Sequence, residues 1–339
     1  MSAAARHRSA GAFASARSRR RWWLIYLTVT AAALACAVGL LAWGNPMEPG
    51  TRGFWLIAAR RADMLIAMAL VALCQAMATV AFQTVAANRI VTPSLLGFES
   101  LYRAIHTTTV FLFGVSGLAS VRTLGVFALQ LVLMVSLSLV LYAWLLTSRR
   151  ASMHAMLLIG IVIGAGLGSM STFMQRLMTP SEFDVLTARL FGSVSNADRD
   201  YYPLAVPLVV VVALALYAGS RYLNVLALGR PAATNLGVEH RRASVLVLVA
   251  VSLLMAASTA LVGPMTFLGF LVATIAYQLC ETHDHRFILP MAVSLALLTL
   301  TGAYLLMKHV FYAEGVVSIL IELVGGSVFL IIILRKGRL

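Results

Sequence analysis

The stretch LVGPMTFLGFLVA, Leu261 to Ala273, places Gly263 and Pro264 in the middle of an apolar run otherwise able to cross a bilayer. Proline lacks an N–H and suits the first turn of a helix, where that donor would be unpaired anyway, so Gly263-Pro264 reads as a start and not a kink. One helix is predicted to end near Val262 and the next to begin at once, with no polar loop between them. A reversal of that kind in a membrane holds only where neighbouring helices cover the freed backbone groups or where it borders a water-filled path.

The rest of the chain agrees with a membrane setting. Its 339 residues are 61% hydrophobic and 11% charged, with a mean hydropathy of +0.92, which is not the composition of a soluble domain. A helix needs about 20 mainly apolar residues to cross a core of about 30 Å. Runs bounded by charge, Gly or Pro give ten candidate spans, at 22–43, 63–83, 94–114, 122–147, 152–174, 201–220, 243–262, 265–281, 287–307 and 316–334. The first run is too long for a signal-peptide apolar region and is kept as a span.

The fold expected is therefore all-α and polytopic: a basic, disordered tail over 1–21, a transmembrane domain over 22–335 and a short tail at 336–339. Basic residues favour one side, with Arg17, Arg19, Arg20, Arg21, Arg89, Arg149, Arg150, Arg221, Arg230, Arg241, Arg242, Arg286, Arg335 and Lys336 on it. That bias puts both termini in the cytoplasm and requires an even number of spans. The net charge of +14 thus reports topology and not a nucleic-acid partner, since only two of 26 basic residues are lysine and most of the others lie between spans.

Several chemistries are absent. The two lysines, Lys308 and Lys336, follow Met307 and Arg335, so no G-x-x-x-x-G-K-[ST] loop exists to cradle ATP. Cys36, Cys74 and Cys280 lack metal-ligand spacing and read as packing residues. In ETHDHR, Glu281 to Arg286, the residues His283, Asp284 and His285 are metal-capable, yet they fall in a short loop and read as solvated, leaving no metal site. Ionisable residues within spans are few: Glu99 and Arg103, one turn apart and able to pair, and Glu322. An ion-coupled secondary carrier would use Glu99 and Glu322. In LIGIVIGAGLGSMSTF, Gly164 and Gly168 form a GxxxG packing pattern.

LGVEHRRASVLVLVAVSLLMAASTALVGPMTFLGFLVATIAYQL, then DHRFILP, then GVVSILIELVGGSVFLIIILRK, resembles the second half of the FecCD-type permeases of bacterial ABC importers, which carry iron chelates and cobalamin. The parts that carry the likeness are Gly263-Pro264 with Phe267-x-Gly269, a basic loop entering a span with Pro290, and Gly325-Gly326-x-x-Phe329. FQTVAANRIVTPSLLGFES matches the family's Q-x-x-x-x-N-P-L-A-x-P-x-x-L-G through Gln83, Asn88, Pro93, Leu96 and Gly97, although Arg89 and Val91-Thr92 replace the commoner residues. TPSLLGFESLY with GPMTFLG is most similar to the subgroup serving catecholate-type siderophores such as petrobactin and anguibactin. Heme or cobalamin import by the same machinery is the neighbouring alternative.

The resemblance implies roles. Gly263, Pro264, Phe267, Gly269, Gln83, Asn88, Pro93 and Gly97 fall beside the translocation path. The punctuated loop SRYLNVLALGRPAATNLGVEHRR, residues 220–242, becomes the segment docking on a separate ATP-binding subunit, through Arg230, Asn235, Leu236, Gly237, Val238 and Glu239. Of the family's R-x-P-R, RRAD keeps Arg60 but has Ala62 and Asp63, so docking of a substrate-binding protein rests on Arg60, with Arg61 compensating. The chain would bind no cofactor, ATP being used by the partner, and would pair with a second permease chain, a related paralogue.

Overall fold

The computed structural model describes residues 11–48, 50–120, 123–147, 153–194, 197–310 and 317–336. Among them no strand occurs and thirteen α-helices form the chain. These are α1 (Ala16–Ala42), α2 (Arg52–Val85), α3 (Phe98–Ser120), α4 (Leu124–Thr147), α5 (Met153–Arg176), α6 (Pro180–Leu190), α7 (Tyr202–Ala218), α8 (Ser220–Leu226), α9 (Arg230–Asn235), α10 (His240–Val262), α11 (Leu268–Leu279), α12 (His285–His309) and α13 (Val317–Lys336).

A helix lies over each of the ten predicted runs. Six of the described helices, in α1, α2, α5, α7, α10 and α12, are long and apolar enough to cross a membrane, and shorter apolar stretches lie in α4, α11 and α13. Leu24, Leu27, Leu34 and Val38 of α1 are exposed, as are Leu158, Val162 and Phe173 of α5. Such surfaces are stable only with lipid or another apolar partner as their solvent.

The core is built around α2 and α10, which pack along one another; α12 lies on α2 and carries α1, α4 lies on α10, and α3 pairs with α5. Small residues make this close contact possible. Ala67, Ala72, Ala76, Ala78 and Ala81 of α2 and Ala256, Ala257 and Ala260 of α10 are almost wholly buried. Without a hydrophobic drive between helices in lipid, such close approach supplies the van der Waals attraction that holds them.

Contacts between helix ends sort the chain into two poles. At one, Thr84 near the end of α2 meets His285 at the start of α12, Asn224 of α8 meets Asp284, and Arg21 of α1 pairs with Glu281. At the other, Arg61 of α2 reaches the end of α1, Tyr202 at the start of α7 donates to the Asp63 carbonyl at 2.6 Å, and Trp43 stacks on His309 at the end of α12. Residues 17–21, 220–242 and 280–286, predicted to share one side, thus meet at one pole.

Three sequence expectations are corrected. The helix after the break begins at Leu268 and not at Pro264, because Gly263 to Met265 are held by neighbours in a non-helical path. Its twelve residues span only about 18 Å at 1.5 Å per residue, short of the roughly 30 Å core. Helix α1 begins at Ala16, ahead of the boundary at residue 22, and Ser15 caps it by accepting from Ser18 N at 3.1 Å while Ser18 reciprocates. Phe13 is buried against Phe287, with ring centroids 4.7 Å apart. Residues 1–10 of the predicted tail and 337–339 of the other lie outside the described residues.

In the connection after α5 a further helix, α6, forms, its start secured by Glu182, which accepts from Thr179 N at 3.0 Å. That bond, with a second from the Thr179 hydroxyl, holds the exposed Glu182 carboxyl below its ordinary range. Finally, Asp284 and His285 of ETHDHR are buried and hydrogen-bonded, and are not solvated.

Candidate functional site: a broken helix and a docking loop

Helix α10 ends where its sequence says it should. Gly263 takes φ +91° and ψ −175°, a conformation costly for a residue with a Cβ. The loop after α6 crosses it at contact distance: Ser193 N donates to the Val262 carbonyl at 2.8 Å, and a Cβ on Gly192 would lie 1.9 Å from the Pro264 carbonyl oxygen. Val194 N donates to the Tyr304 hydroxyl at 2.7 Å, tying the same loop to α12. The Val262 carbonyl freed by the break is thus met by protein, as the low-dielectric setting requires, and Gly263 N donates to the Thr259 carbonyl at 2.8 Å.

The residues following the break join distant parts of the chain. Thr266 donates to the Glu99 carboxylate of α3 at 2.8 Å. Glu99 is therefore engaged with the break, and no ion pair between it and Arg103 occurs among the described residues, contrary to the pairing their spacing allows. Phe267 lies against Gly325 of α13, where a Cβ would approach its own Cβ to 2.6 Å, and Phe329 closes on both Phe267 and Phe270. Gly269 faces α2, where a Cβ would meet Thr79 Oγ1 at 2.1 Å. The two motifs Gly263-Pro264…Phe267-x-Gly269 and Gly325-Gly326-x-x-Phe329 are one packed unit.

The earlier motif divides. Pro93 starts a 3-10 turn over Pro93–Leu96, which ends at Gly97 in the left-handed region, φ +90°. Gly97 rests on the backbone of Gly160 and Gly164 in α5, so Gly164 does serve close packing, while a Cβ on Gly168 would meet nothing within 4 Å. This places Gly97 and Glu99 beside the break. Gln83 and Asn88 sit apart, at the pole where α2 ends. The Gln83 amide donates to the Arg89 carbonyl at 2.8 Å, Asn88 Oδ1 accepts from Ile90 N at 2.9 Å, and the Arg89 guanidinium lies 4.4 Å above the Tyr277 ring.

At that same pole residues 220–242 form two short helices. Helix α9 ends in a Schellman motif: Val238 N donates to the Ala233 carbonyl at 2.9 Å and Gly237 N to Thr234 at 3.0 Å, with Gly237 at φ +78°. The turn throws Leu236 outward, 61% exposed, near the exposed Leu228 and Tyr222. Arg230 and Asn235 are exposed as well, and Glu239 pairs with Arg242 across one turn of α10 at 3.1 Å. Behind them an open groove of about 530 Å³ runs between the end of α7 and the start of α10, lined by Leu216, Leu223, Val238, Leu246 and Val247.

The opposite pole holds Arg60 and Arg61. Arg61 is spent locally: its guanidinium donates to the carbonyls of Leu40, Leu41, Trp43 and Gly44 at 2.8 to 3.3 Å, satisfying the end of α1. Arg60 stays exposed, and Asp63 lies 3.9 Å from Arg199.

What the sequence missed was the partner of residues 220–242 inside the chain. Asn224 bonds to both Asp284 and His285, and nothing in the spacing of Asn224 and ETHDHR announces it. The Asp284 carboxyl would be raised by burial, but hydrogen bonds from Arg286 and Asn224 outweigh this and hold it at about 2. It is ionised at neutral pH.

An all-helical membrane bundle, with an interrupted helix pinned at its centre and an apolar-tipped loop at one pole, defines a transport permease. The chain belongs to the FecCD transport family, whose pattern matches residues 22–335. It is similar to the petrobactin import system permease protein FatC of Bacillus anthracis, 50% identical over 98% of this chain and 94% of the relative. The petrobactin import permease YclO of Bacillus subtilis is 34% identical over 82% of this chain and 89% of its own length. The vitamin B12 import permease BtuC of Citrobacter koseri is 27% identical over 96% and 98%. A solved metal-chelate-type ABC transporter in an inward-facing conformation shares the fold, with TM-score 0.79, covering 92% of this chain and 99% of that one at 18% identity.

Proposed function

We propose that this chain is the membrane permease subunit of a bacterial ABC importer that carries a ferric siderophore of the catecholate class, petrobactin or a close analogue, across the cytoplasmic membrane. The observation that carries the reading is Leu236: a large apolar side chain held outward by a glycine turn, on a chain without a phosphate-cradling loop of its own. An exposed apolar tip of this kind needs a partner to bury it, and a separate ATPase subunit supplies both that surface and the energy. Cargo follows from the petrobactin permeases, which are nearer in sequence than the cobalamin ones.

The helices over the predicted runs form the membrane domain, α11 as a short span completed by the extended segment from Gly263, with both termini and residues 220–242 in the cytoplasm. A binding protein delivers the chelate at the pole of Arg60, and a second permease chain, a related paralogue, completes the path. Binding and hydrolysis of ATP would favour in turn the states open to either side. The unit of Gly263 to Phe267, Glu99 and Gly325 is the part of the bundle placed to change with them.

The test is to tag the chain, extract it gently from its native membrane and identify what copurifies. A P-loop ATPase and a second membrane chain in comparable amounts are expected, and Leu236→Asp with Val238→Asp should release the ATPase while leaving the chain inserted. Retention of the ATPase with normal uptake by that double variant would sink the docking assignment. Recovery of the chain alone, still moving ferric petrobactin into liposomes and stopped by a proton uncoupler, would instead favour an ion-coupled carrier using Glu99 and Glu322.

A further inference from the structure

The docking loop has to pull on the bundle, and a short exposed helix transmits motion only if it is fastened to something longer. Helix α8 is fastened at Asn224. Its Oδ1 accepts from the backbone N–H of His285 at 2.9 Å, and its amide donates to the Asp284 carboxylate at 3.0 Å. These two partners fix which way the amide points. His285 Nδ1, 2.6 Å from the same Oδ1, must then carry a hydrogen, and Nε2 faces the Thr84 hydroxyl of α2 at 2.7 Å. In the neutral ring Nε2 then accepts the one Thr84 hydroxyl hydrogen, for which the Val80 carbonyl, 2.8 Å from the same oxygen, is the competing acceptor.

One side chain of the loop thereby grips the first turn of α12, and the imidazole at that turn grips the last turns of α2. His285 and Thr84 are buried, and Arg286 closes over Asp284 with a hydrogen bond of 2.6 Å. On the far side the loop of residues 280–286 and the first turn of α12 are clasped by the N-terminal segment, through the bond of Thr282 to the Ala12 carbonyl, the Arg21–Glu281 pair and the Phe13, Trp22 and Phe287 rings. Hydrogen-bonded chains in a low-dielectric setting are rigid when every member is satisfied.

We propose that Asn224, Asp284, His285 and Thr84 form the joint through which movement of the ATPase-docked segment reaches α2 and α12, making them positioning residues for transport. The inference rests on the reading of residues 220–242 as the docking segment.

The test uses the full importer, this chain with its ATPase and its partner permease, in proteoliposomes with binding protein and radio-iron-labelled ferric petrobactin. ATP hydrolysis and uptake are measured together. Asn224→Ala is expected to leave the subunits assembled and ATP hydrolysis running while uptake per ATP falls about fivefold or more, the scale of a lost coupling free energy between sites. Thr84→Val keeps the size and shape of the side chain and is expected to lower the same ratio; it is the check if Asn224→Ala assembles poorly. His285→Asn retains a donor toward Asn224 but is too short to reach Thr84, and should resemble Thr84→Val.

A merely structural knot would lower yield, hydrolysis and uptake together and leave their ratio unchanged, and that result in assembled Thr84→Val complexes overturns the proposal. The docking reading fails separately, if Leu236→Asp with Val238→Asp still retains a coupled ATPase. An unchanged ratio in Asn224→Ala and Thr84→Val, while the docking variant loses its ATPase, removes only the joint.

Discussion

At Gly192 and Gly263 two backbones cross with no room for a methyl group. An alanine at Gly192 would have to move the Pro264 carbonyl by more than an ångström, since 1.9 Å is far inside any real carbon–oxygen contact. Overpacking of this kind costs about 1–3 kcal/mol. Gly192→Ala is therefore expected to lower thermal stability in detergent and to slow uptake. Gly302→Ala, where nothing lies within 4 Å of the new methyl, should not lower it, because alanine is the better helix former. Equal losses in the two variants would count against the crossing as the cause. Gly263 was readable because glycine followed by proline marks a break locally. Gly192 was not, because its crowding comes from a segment some seventy positions away in sequence. Arg61 shows the same limit: its charge pointed to a docking surface, and only the fold reveals the end of α1 that consumes it.

Elements were read well where their signals were local and misread where neighbours decided. Helix α6 opens on Thr179-Pro180-Ser181-Glu182, a cap three residues before a glutamate with proline at the first turn, and that signature was present to be used. The start of α11 was not legible, since Pro264 suits a first turn but lies where the Gly192 backbone crosses, and Thr266 is drawn to Glu99. Helix α12 gives the sharpest test. Asp284 is its N-cap, accepting from Arg286 N at 3.0 Å. Asp284→Ala should destabilise this end by about 1 kcal/mol or more, whereas Asp284→Asn, which keeps a capping oxygen but loses the charge that Arg286 and Asn224 hold, should recover only part of that. Hydrogen exchange at residues 285–288 would separate them. The carboxyl titrates at about 2 against an ordinary 3.8. Its contribution is thus complete above pH 3.8 and lost as pH falls through 2. Exchange protection of this turn should not change with Asp284 ionisation near neutrality.

Over the whole molecule, composition and the bias of arginine were enough for an all-helical bundle with two distinct poles, because the bilayer constrains backbone hydrogen bonding so strongly. The packed centre at the break was legible in part: Gly263, Phe267 and Gly269 meet there and Gly97 leads into Glu99 beside it, while Gln83 and Asn88 lie at the pole of residues 220–242. Glu99 joins the centre through Thr266, which no periodicity could show. The docking reading stands or falls on which pole faces the cytoplasm, and the two poles carry suitable probes. Leu236 is exposed beside Arg230 and Arg242 at one, and Met47 is 50% exposed at the other. In a background with Cys36, Cys74 and Cys280 replaced by serine or alanine, and with the ATPase subunit left unexpressed so that nothing covers the loop, Leu236→Cys should react with a membrane-impermeant maleimide in inverted vesicles and be protected in intact spheroplasts. Met47→Cys should show the reverse. The opposite pattern would put the arginine-rich pole outside, away from ATP, and the apolar tip at Leu236 would then have to meet a partner on the delivery side.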